Sequence, residues 1–551
     1  MNTLHTDVLI IGAGPVGTTL ALCLAQRGVP CIVAERKPPD APHDIKCNHV
    51  SARSMELYRQ LGVADALRAG GLPDDYPHDV SYRTSTLGRE ITRIRIPGRT
   101  TRLADTSGPD GWWPTAEPPH RINQRYLEPI LLGHARQQDT IRFVHAHELL
   151  EYTQNAQGVT ATLRNLQDGS HVLVQARYLA GCDGGRSTVR KAMGARLAGD
   201  EVVQRVQSTC IRAPQLIDHM QVPPAWAMFS VNPRRSGNIY AIDGREIWLV
   251  HNYLRDHETD FESVDRDACI RAILGVDDRF DYEFISKEDW IGRRLVADRM
   301  RNGRVFIAGD AAHLWVPYAG YGMNAGLADA ANLAWHLCAQ IQGWAHADAL
   351  QAYERERLPI TEQVSHFAMN HAHAMSQRRR AIPPDIEDDT PQAQASREAF
   401  GRDLYELNVQ QYCCAGLNFG YYYADSPLIA YDGEAHPPYS MGSFTASTVP
   451  GCRAPHFRLD DGRSLYDAFG PGYTLMCLRA GCEASVAALQ AAAAAQRMPL
   501  AVLDLSTQQQ VPAEYRHALL VARADAHTAW RGNALDAAAA QALVARLSGH
   551  G

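Results

Sequence analysis

The most constraining stretch lies at the start of the chain. Residues 7–11 (DVLII) form a short apolar run, followed at once by Gly12-Ala13-Gly14-Pro15-Val16-Gly17 and then by residues 18–27, which read as a helix closed by Gly28. Cys31–Glu35 (CIVAE) is a second apolar run that ends in an acid. Continuous apolar strands separated by a helix describe a βαβ unit in a parallel sheet covered on both faces. The three glycines have separate physical reasons. Gly12 permits the tight turn, Gly14 lets the backbone approach a pyrophosphate, and Gly17 lets helix and strand pack closely, so that phosphates meet the positive end of the helix. Glu35 stands where its carboxylate can accept hydrogen bonds from a ribose diol. Its charge opposes a 2′-phosphate at that place, while Arg36 beside it acts the other way.

A chain of 551 residues has room for two to four domains. With 45% hydrophobic and 21% charged residues it is neither disordered, collagen-like nor coiled coil. A net charge of −7 gives no reason to expect a nucleic-acid partner. The twelve cysteines are scattered, with no CxxC pair, and read as reduced thiols of a cytoplasmic protein. The N-terminus lacks a basic signal-like region, and no apolar run reaches the 18 or more residues of a membrane span. His366, His371 and His373 sit at offsets that do not share one helix face, so no metal is expected there.

Further along, residues 76–113 read as β-rich and partly loop, 126–135 as helix, and 145–174 as a β-meander turning at Gln157-Gly158 and Asp168-Gly169. Residues 178–181 return to a strand, 238–242 and 246–252 alternate as strands, and 305–308 is another buried strand before a long Ala/Leu helix over 324–341. Residues 378–391 hold three arginines, three prolines and four acids, and read as a solvated loop or linker. The last hundred residues form a small α/β block: strand 473–478, an Ala-rich helix, and strands 500–505 and 518–522.

Two more motifs carry chemistry. In Gly181-Cys182-Asp183-Gly184-Gly185-Arg186-Ser187-x-x-Arg190 an aspartate occupies a Gly-rich turn just before a helix start. In Gly303-Arg304-Val305-Phe306-Ile307-Ala308-Gly309-Asp310-Ala311-Ala312-His313 a strand delivers Asp310 into a Gly/Ala turn, where its carboxylate can bind a second sugar hydroxyl. Pro317, Gly320, Gly322 and Asn324 lead from there into the long helix.

In this order, and with Arg53-Ser54-Met55-Glu56-Leu57, Gln124-x-x-Leu127-Glu128 and Tyr353-x-x-Glu356-Arg357-x-Pro359, nearly the whole chain resembles the class A flavoprotein monooxygenases, the aromatic hydroxylase group that includes phenol hydroxylases. The last block resembles that group's thioredoxin-like C-terminal domain, through Pro450-Gly451-x-Arg453-Ala454-Pro455-His456 and Ala529-Trp530-Arg531-Gly532. The resemblance implies an α/β fold with a discontinuous Rossmann-like FAD-binding domain (1–75, 115–190, 290–375). It also implies a β-rich substrate domain (76–114, 191–289), a helical linker (376–449) and a thioredoxin-like domain (450–551). Three departures fall where the flavin ring belongs. Val316-Pro317 replaces a usual pair of prolines, Ala319-Gly320-Tyr321-Gly322 replaces Gly-Gly-Gln-Gly, and Lys46 stands for an expected arginine.

By the same resemblance FAD is held by Gly12, Gly14, Pro15, Val16, Gly17, Glu35, Arg36, Lys46, Gln124, Asp183, Gly184, Gly309, Asp310, Pro317, Gly320, Gly322, Met323 and Asn324, with Asp310 on the ribityl chain and the start of the long helix facing the flavin. The implied reaction is reduction of FAD by NADH or NADPH, addition of O₂ to give a C4a-hydroperoxide, and hydroxylation of a phenolic or other electron-rich ring. His49 is the candidate base, and Tyr240, with Trp248 and His251, a candidate for the substrate side; Trp112-Trp113 is a candidate lid. Two alternatives stand beside this: Baeyer–Villiger or epoxidising oxygenation of a polyketide, terpenoid or antibiotic, and a flavin-binding redox sensor or scaffold. The expected partner is a small aromatic substrate, with room for a homodimer.

Overall fold

The computed structural model describes residues 2–550. Its first sheet has eight strands, and six of them run in the order Arg301–Asn302, Val305–Ile307, His171–Gly181, Asn2–Ile11, Cys31–Glu35, Ile141–His145. A hairpin, His147–Gln154 and Val159–Asn165, extends it from His171–Gly181. The central pairings are parallel, as the unbroken apolar runs require: Val8, Leu9 and Ile10 have no exposed surface. Helix Pro15–Ala25 packs against the long helix Tyr321–Ile341.

The register of this sheet positions the site. Ile11 pairs with Gly181, and Gly181 pairs with Ile307. The three motif turns therefore leave three adjacent strands at the same carboxyl end, where ligands bind in open parallel sheets. Ala34 pairs with Ile11, which brings Glu35 to that end as well.

The second sheet has nine strands, eight of them in the order His313–Leu314, Trp290–Ala297, Leu197–Arg212, Ile247–Tyr253, Gly237–Ala241, Ala227–Ser230, Val80–Arg83, Glu90–Ile94, with Glu283–Lys287 added to Leu197–Arg212. It is antiparallel except for Val80–Arg83 against Ala227–Ser230. Helix Pro391–Tyr412 packs on its Glu90–Ile94 strand. The third sheet runs Leu500–Asp504, Tyr473–Cys477, Leu519–Arg523, Thr528–Gly532, with helices Glu483–Ala495 and Ala537–Leu547. That mixed sheet with two helices is the thioredoxin-like architecture the resemblance implies.

Four sequence expectations need correction. The three arginines at 378–380 are not a loop. They finish a helix, Gln351–Arg380, because each finds a partner: Arg378 bonds Asp403, Arg379 bonds Tyr318 and Gln204, and Arg380 bonds Asp256. The long helix begins at Tyr321, not at residue 324, directly after Gly320 in the left-handed region (φ +59°). Residues 178–181 are the end of the strand His171–Gly181 and not a separate one. Trp248 is a fully buried core residue that donates from Nε1 to the Ala213 carbonyl at 3.2 Å. Among the described residues no helix is long and apolar enough to cross a membrane.

Candidate cofactor and substrate site

The glycine turn is shaped as a cradle. A Cβ on Gly12 (φ +106°) would lie 2.4 Å from the Cys182 carbonyl oxygen, and one on Gly17 would lie 1.9 Å from the Gly12 carbonyl oxygen, whereas one on Gly14 would meet nothing within 4 Å. Backbone thus closes on two sides and leaves space at Gly14. The helix that starts at Pro15 has no side-chain cap, so its first N–H groups face that space. Val16 packs against Gly309: a Cβ there would lie 2.9 Å from Val16 Cγ2, which locks the first turn to the third.

Glu35 closes the far side. Its Oε2 accepts from the Ala13 N–H at 2.7 Å and its Oε1 from the Lys37 N–H at 2.8 Å. The carboxylate is held beside the turn with lone pairs still available to a diol. Arg36 is exposed next to it.

Asp183 caps the short helix Thr188–Ala192: its Oδ2 accepts from the N–H groups of Thr188 (2.7 Å) and Val189 (3.2 Å). Its Oδ1 is buried without a partner among the described residues. Gly184 follows in the left-handed region (φ +75°), with open space around its Cα. Asp310 sits on the 3-10 turn Gly309–Ala311 with its side chain open to solvent and in no ion pair among the described residues. Protein surrounds it closely enough that desolvation raises its pKa, while His313 and Lys46 act in the opposite sense. A cradle open at Gly14, an uncapped helix end and these aspartate oxygens fit a dinucleotide with a polyhydroxylated arm.

A residue that no sequence motif marked holds the Asp310 turn. Asp329, fully buried on the long helix, accepts from the Gly309 N–H at 3.1 Å, from His313 Nε2 at 2.7 Å and from Arg357 Nε at 2.8 Å. Burial works to raise its pKa, but Arg357 and His313 outweigh burial and hold it at about 2.

The segment expected beside the flavin ring converges around His49. A Cβ on Gly320 would lie 3.2 Å from His49 Cβ. Asn324 ties this segment to the long helix: its Oδ1 accepts from Ser51 N–H (2.8 Å) and Ser54 Oγ (2.7 Å), and its Nδ2 donates to the carbonyls of His49 (3.1 Å) and Gly320 (2.7 Å). Its side chain is a brace with both ends occupied. Gln124 donates its backbone N–H to Cys47 O at 2.7 Å and its side chain to Glu128 at 2.7 Å. Lys46 is exposed and lies 3.9 Å from Glu288. Pro317 is exposed, a Cβ on Gly322 would meet nothing nearer than Trp315 Nε1 at 4.0 Å, and Met323 is partly buried against the core around the first sheet.

His49 itself is buried, with its Nδ1 taken by a bond from the Arg121 guanidinium. A ring nitrogen that accepts from arginine leaves only Nε2 to face a substrate. Arg121 lies over Trp226, 4.5 Å from the ring centroid. From there aromatic rings continue across the second sheet: Trp226 to Tyr240 (5.2 Å), Tyr240 to His251 (5.6 Å), and His251 to Trp290 (5.8 Å). Burial raises the Tyr240 phenol far above its usual range and lowers His251 to about 4, so both are neutral near pH 7. The two tryptophans expected as a lid divide. Trp113 is buried, bonded to Asp110 at 3.0 Å and packed edge-on to Phe419, while Trp112 stays exposed.

Sequence reasoning missed Arg121 and Asp329. Arg121 lies three residues before Gln124 of a quoted motif but carries no periodic signal of its own. Asp329 falls on the polar side of an Ala/Leu pattern, where a solvated residue is the ordinary reading.

The comparisons agree with this geometry. Residues 5–368 match the family described as FAD binding domain. Aklavinone 12-hydroxylase RdmE of Streptomyces purpurascens is 30% identical over 98% of each chain, and phenol 2-monooxygenase of a Pseudomonas species (strain EST1001) is 27% identical over 100% of this chain and 93% of its own. The rebeccamycin biosynthetic enzyme RebC, solved with reduced flavin, superposes over the full length of both chains with a TM-score of 0.88 at 31% identity. The cradle, the aspartates and these relatives together place the chain in the FAD-binding-domain family, as an FAD-dependent monooxygenase.

Proposed function

We propose that this monooxygenase hydroxylates a phenolic or other electron-rich aromatic ring, bound between the His49–Arg121 pair and the aromatic row of the second sheet, with NADH or NADPH as reductant. The observation that carries the reading is the row itself. Trp226, Tyr240, His251 and Trp290 present neutral rings to an aromatic guest and bring no carboxylate. The names of the relatives, a phenol monooxygenase and an aklavinone hydroxylase, support the same class.

Bound FAD, once reduced, would supply the activated oxygen atom; the chain's residues do the rest. Gly12, Gly14 and Gly17 with the helix start at Pro15 would receive the pyrophosphate, Glu35 the adenosine ribose, and Asp310 the ribityl hydroxyls, as the open space and free carboxylate oxygens allow. Asn324 holds the His49 segment against the helix start, so that His49 would keep one position beside a bound cofactor. His49 Nε2, with Nδ1 occupied, is placed to hydrogen-bond a substrate hydroxyl. The apolar and aromatic walls exclude water, which protects a reactive oxygen donor from wasteful decay.

A panel of phenols and polycyclic aromatics tests the reading. The FAD-loaded protein should consume NAD(P)H faster with a suitable ring, and the product should gain one oxygen on carbon. Insertion beside a ketone, or consumption that no aromatic stimulates, would contradict it.

A further inference from the structure

We infer that Arg121 is a receptor for an anionic substituent, a carboxylate or a phenolate oxygen, on the aromatic substrate. The inference rests on the aromatic-substrate reading above and names the chemistry of one side of that site.

Arg121 is 2% exposed, yet Nε and Nη2 of its guanidinium have no hydrogen-bond partner among the described residues. Its Nη1 reaches His49 Nδ1, a neutral acceptor. Among the described residues no carboxylate pairs with it, and the groups that act on it most strongly are Cys414, Tyr412, Cys413 and Tyr240. Burial without a countercharge lowers its pKa to about 10. A buried guanidinium normally has a carboxylate, since the desolvation of an unpaired charge is expensive. Of the other fully buried arginines, Arg523 has Glu356 and Asp525, Arg357 has Asp329 and Arg102 has Asp110, while Arg83, which has no carboxylate, gives all three of its nitrogens to Ser81 and the Thr86 and Pro223 carbonyls; Arg121 has neither a carboxylate nor that full set of partners.

The exception stands where a ligand is expected. Through His49, Arg121 touches the residue beside Gly320; through its stacking on Trp226 it reaches the row that continues to Tyr240. The Arg121 guanidinium carbon lies 4.5 Å from the Trp226 ring centroid, and the Nε and Nη2 donors of a guanidinium share one edge of its own plane. Two parallel N–H groups on that edge match the two oxygens of a carboxylate, or one phenolate oxygen in a forked bond. An anion there would complete the pairing, and its aromatic body would extend along the row.

The test compares two probes of one shape, 2-naphthoate and neutral 2-naphthamide, on the FAD-loaded protein. Binding is read by perturbation of the flavin absorbance and, independently, by equilibrium dialysis. Wild type should prefer the carboxylate by about 10- to 150-fold, the usual worth of a hydrogen bond to a charged group. Arg121→Met should remove that preference and leave amide binding unchanged. Arg121→Lys, which keeps charge but not the fork, should restore part of it and guards against a Met variant that folds badly. Equal binding of both probes by wild type, or equal weakening of both by Arg121→Met, would overturn the inference. So would a variant that loses FAD with the probe ratio intact, since Arg121 would then serve the cofactor. If neither probe nor 2-naphthol perturbs the flavin, the aromatic-substrate reading falls and takes the inference with it.

Discussion

Two charged regions of this chain are built on opposite terms. Where the C-terminal sheet meets the helices, buried charges are paired. Glu356 accepts from Arg523 at 2.6 and 3.1 Å, from Ser426 at 2.6 Å and from Asn332 at 2.7 Å, and Arg523 also bonds Asp525 at 3.0 Å. Around the candidate cofactor and substrate site, and among the described residues, Arg121 has no carboxylate partner and Asp310 is in no ion pair. Paired buried charge holds two parts of a chain together; unpaired charge is tolerated where a ligand completes it. The contrast separates polar groups that serve the fold from those that serve chemistry.

The largest effect should come from breaking the paired side. Glu356→Ala leaves Arg523 buried without its main partner and should lower stability by about 3–5 kcal/mol, read as a shift in denaturant unfolding of the FAD-loaded protein. Protein that remains folded should keep its FAD. Loss of FAD without loss of stability would erase the contrast.

Asp310→Ala should do the reverse. It removes a free carboxylate, so stability of the FAD-free protein should hold. FAD affinity should fall by about 10- to 150-fold, the worth of hydrogen bonds to a charged group. Fluorescence titration of apoprotein with FAD measures it. Unchanged affinity would remove Asp310 from the cofactor site.

Acid titration should sharpen the comparison by separating two pH windows. Burial lowers His251 and His371 to about 4 and His78 to about 3. An unfolded histidine takes a proton near pH 6.5. Between about pH 6.5 and 4 the unfolded chain thus binds more protons than the folded one, and stability should fall as pH falls. Asp329, held at about 2, contributes stability that is intact above its ordinary value of 3.8 and lost only as pH drops toward 2. Unfolding free energy that stays flat from pH 6.5 to 4.5 would show that the buried imidazoles are not neutral.

The legible part of this site was the part set by local backbone geometry. Gly12 and Gly17 announce a turn because only glycine fits a Cβ-free approach of 2.4 or 1.9 Å, and that constraint is written within six residues of the chain. Asp183 and Asp310 were readable because each follows an apolar strand directly. Arg121 and Asp329 were not, since their roles arise from contacts 72 and 20 residues away in sequence. The arginines at 378–380 misled for the same reason: a charge run reads as solvated until its partners, such as Asp403 and Asp256, are known. The helix start shifted to Tyr321 because Asn324, which resembles a helix-start residue, spends its side chain on the His49–Ser54 segment.

The most direct test of the central claim is the origin of the oxygen in the product. FAD-loaded protein, NAD(P)H and an accepted aromatic substrate are incubated under ¹⁸O₂, and product mass is counted against NAD(P)H consumed. The account predicts one labelled oxygen on a ring carbon for each NAD(P)H used in productive turnover. Product oxygen drawn from water, or reductant consumed wholly to peroxide with every aromatic tried, would contradict it.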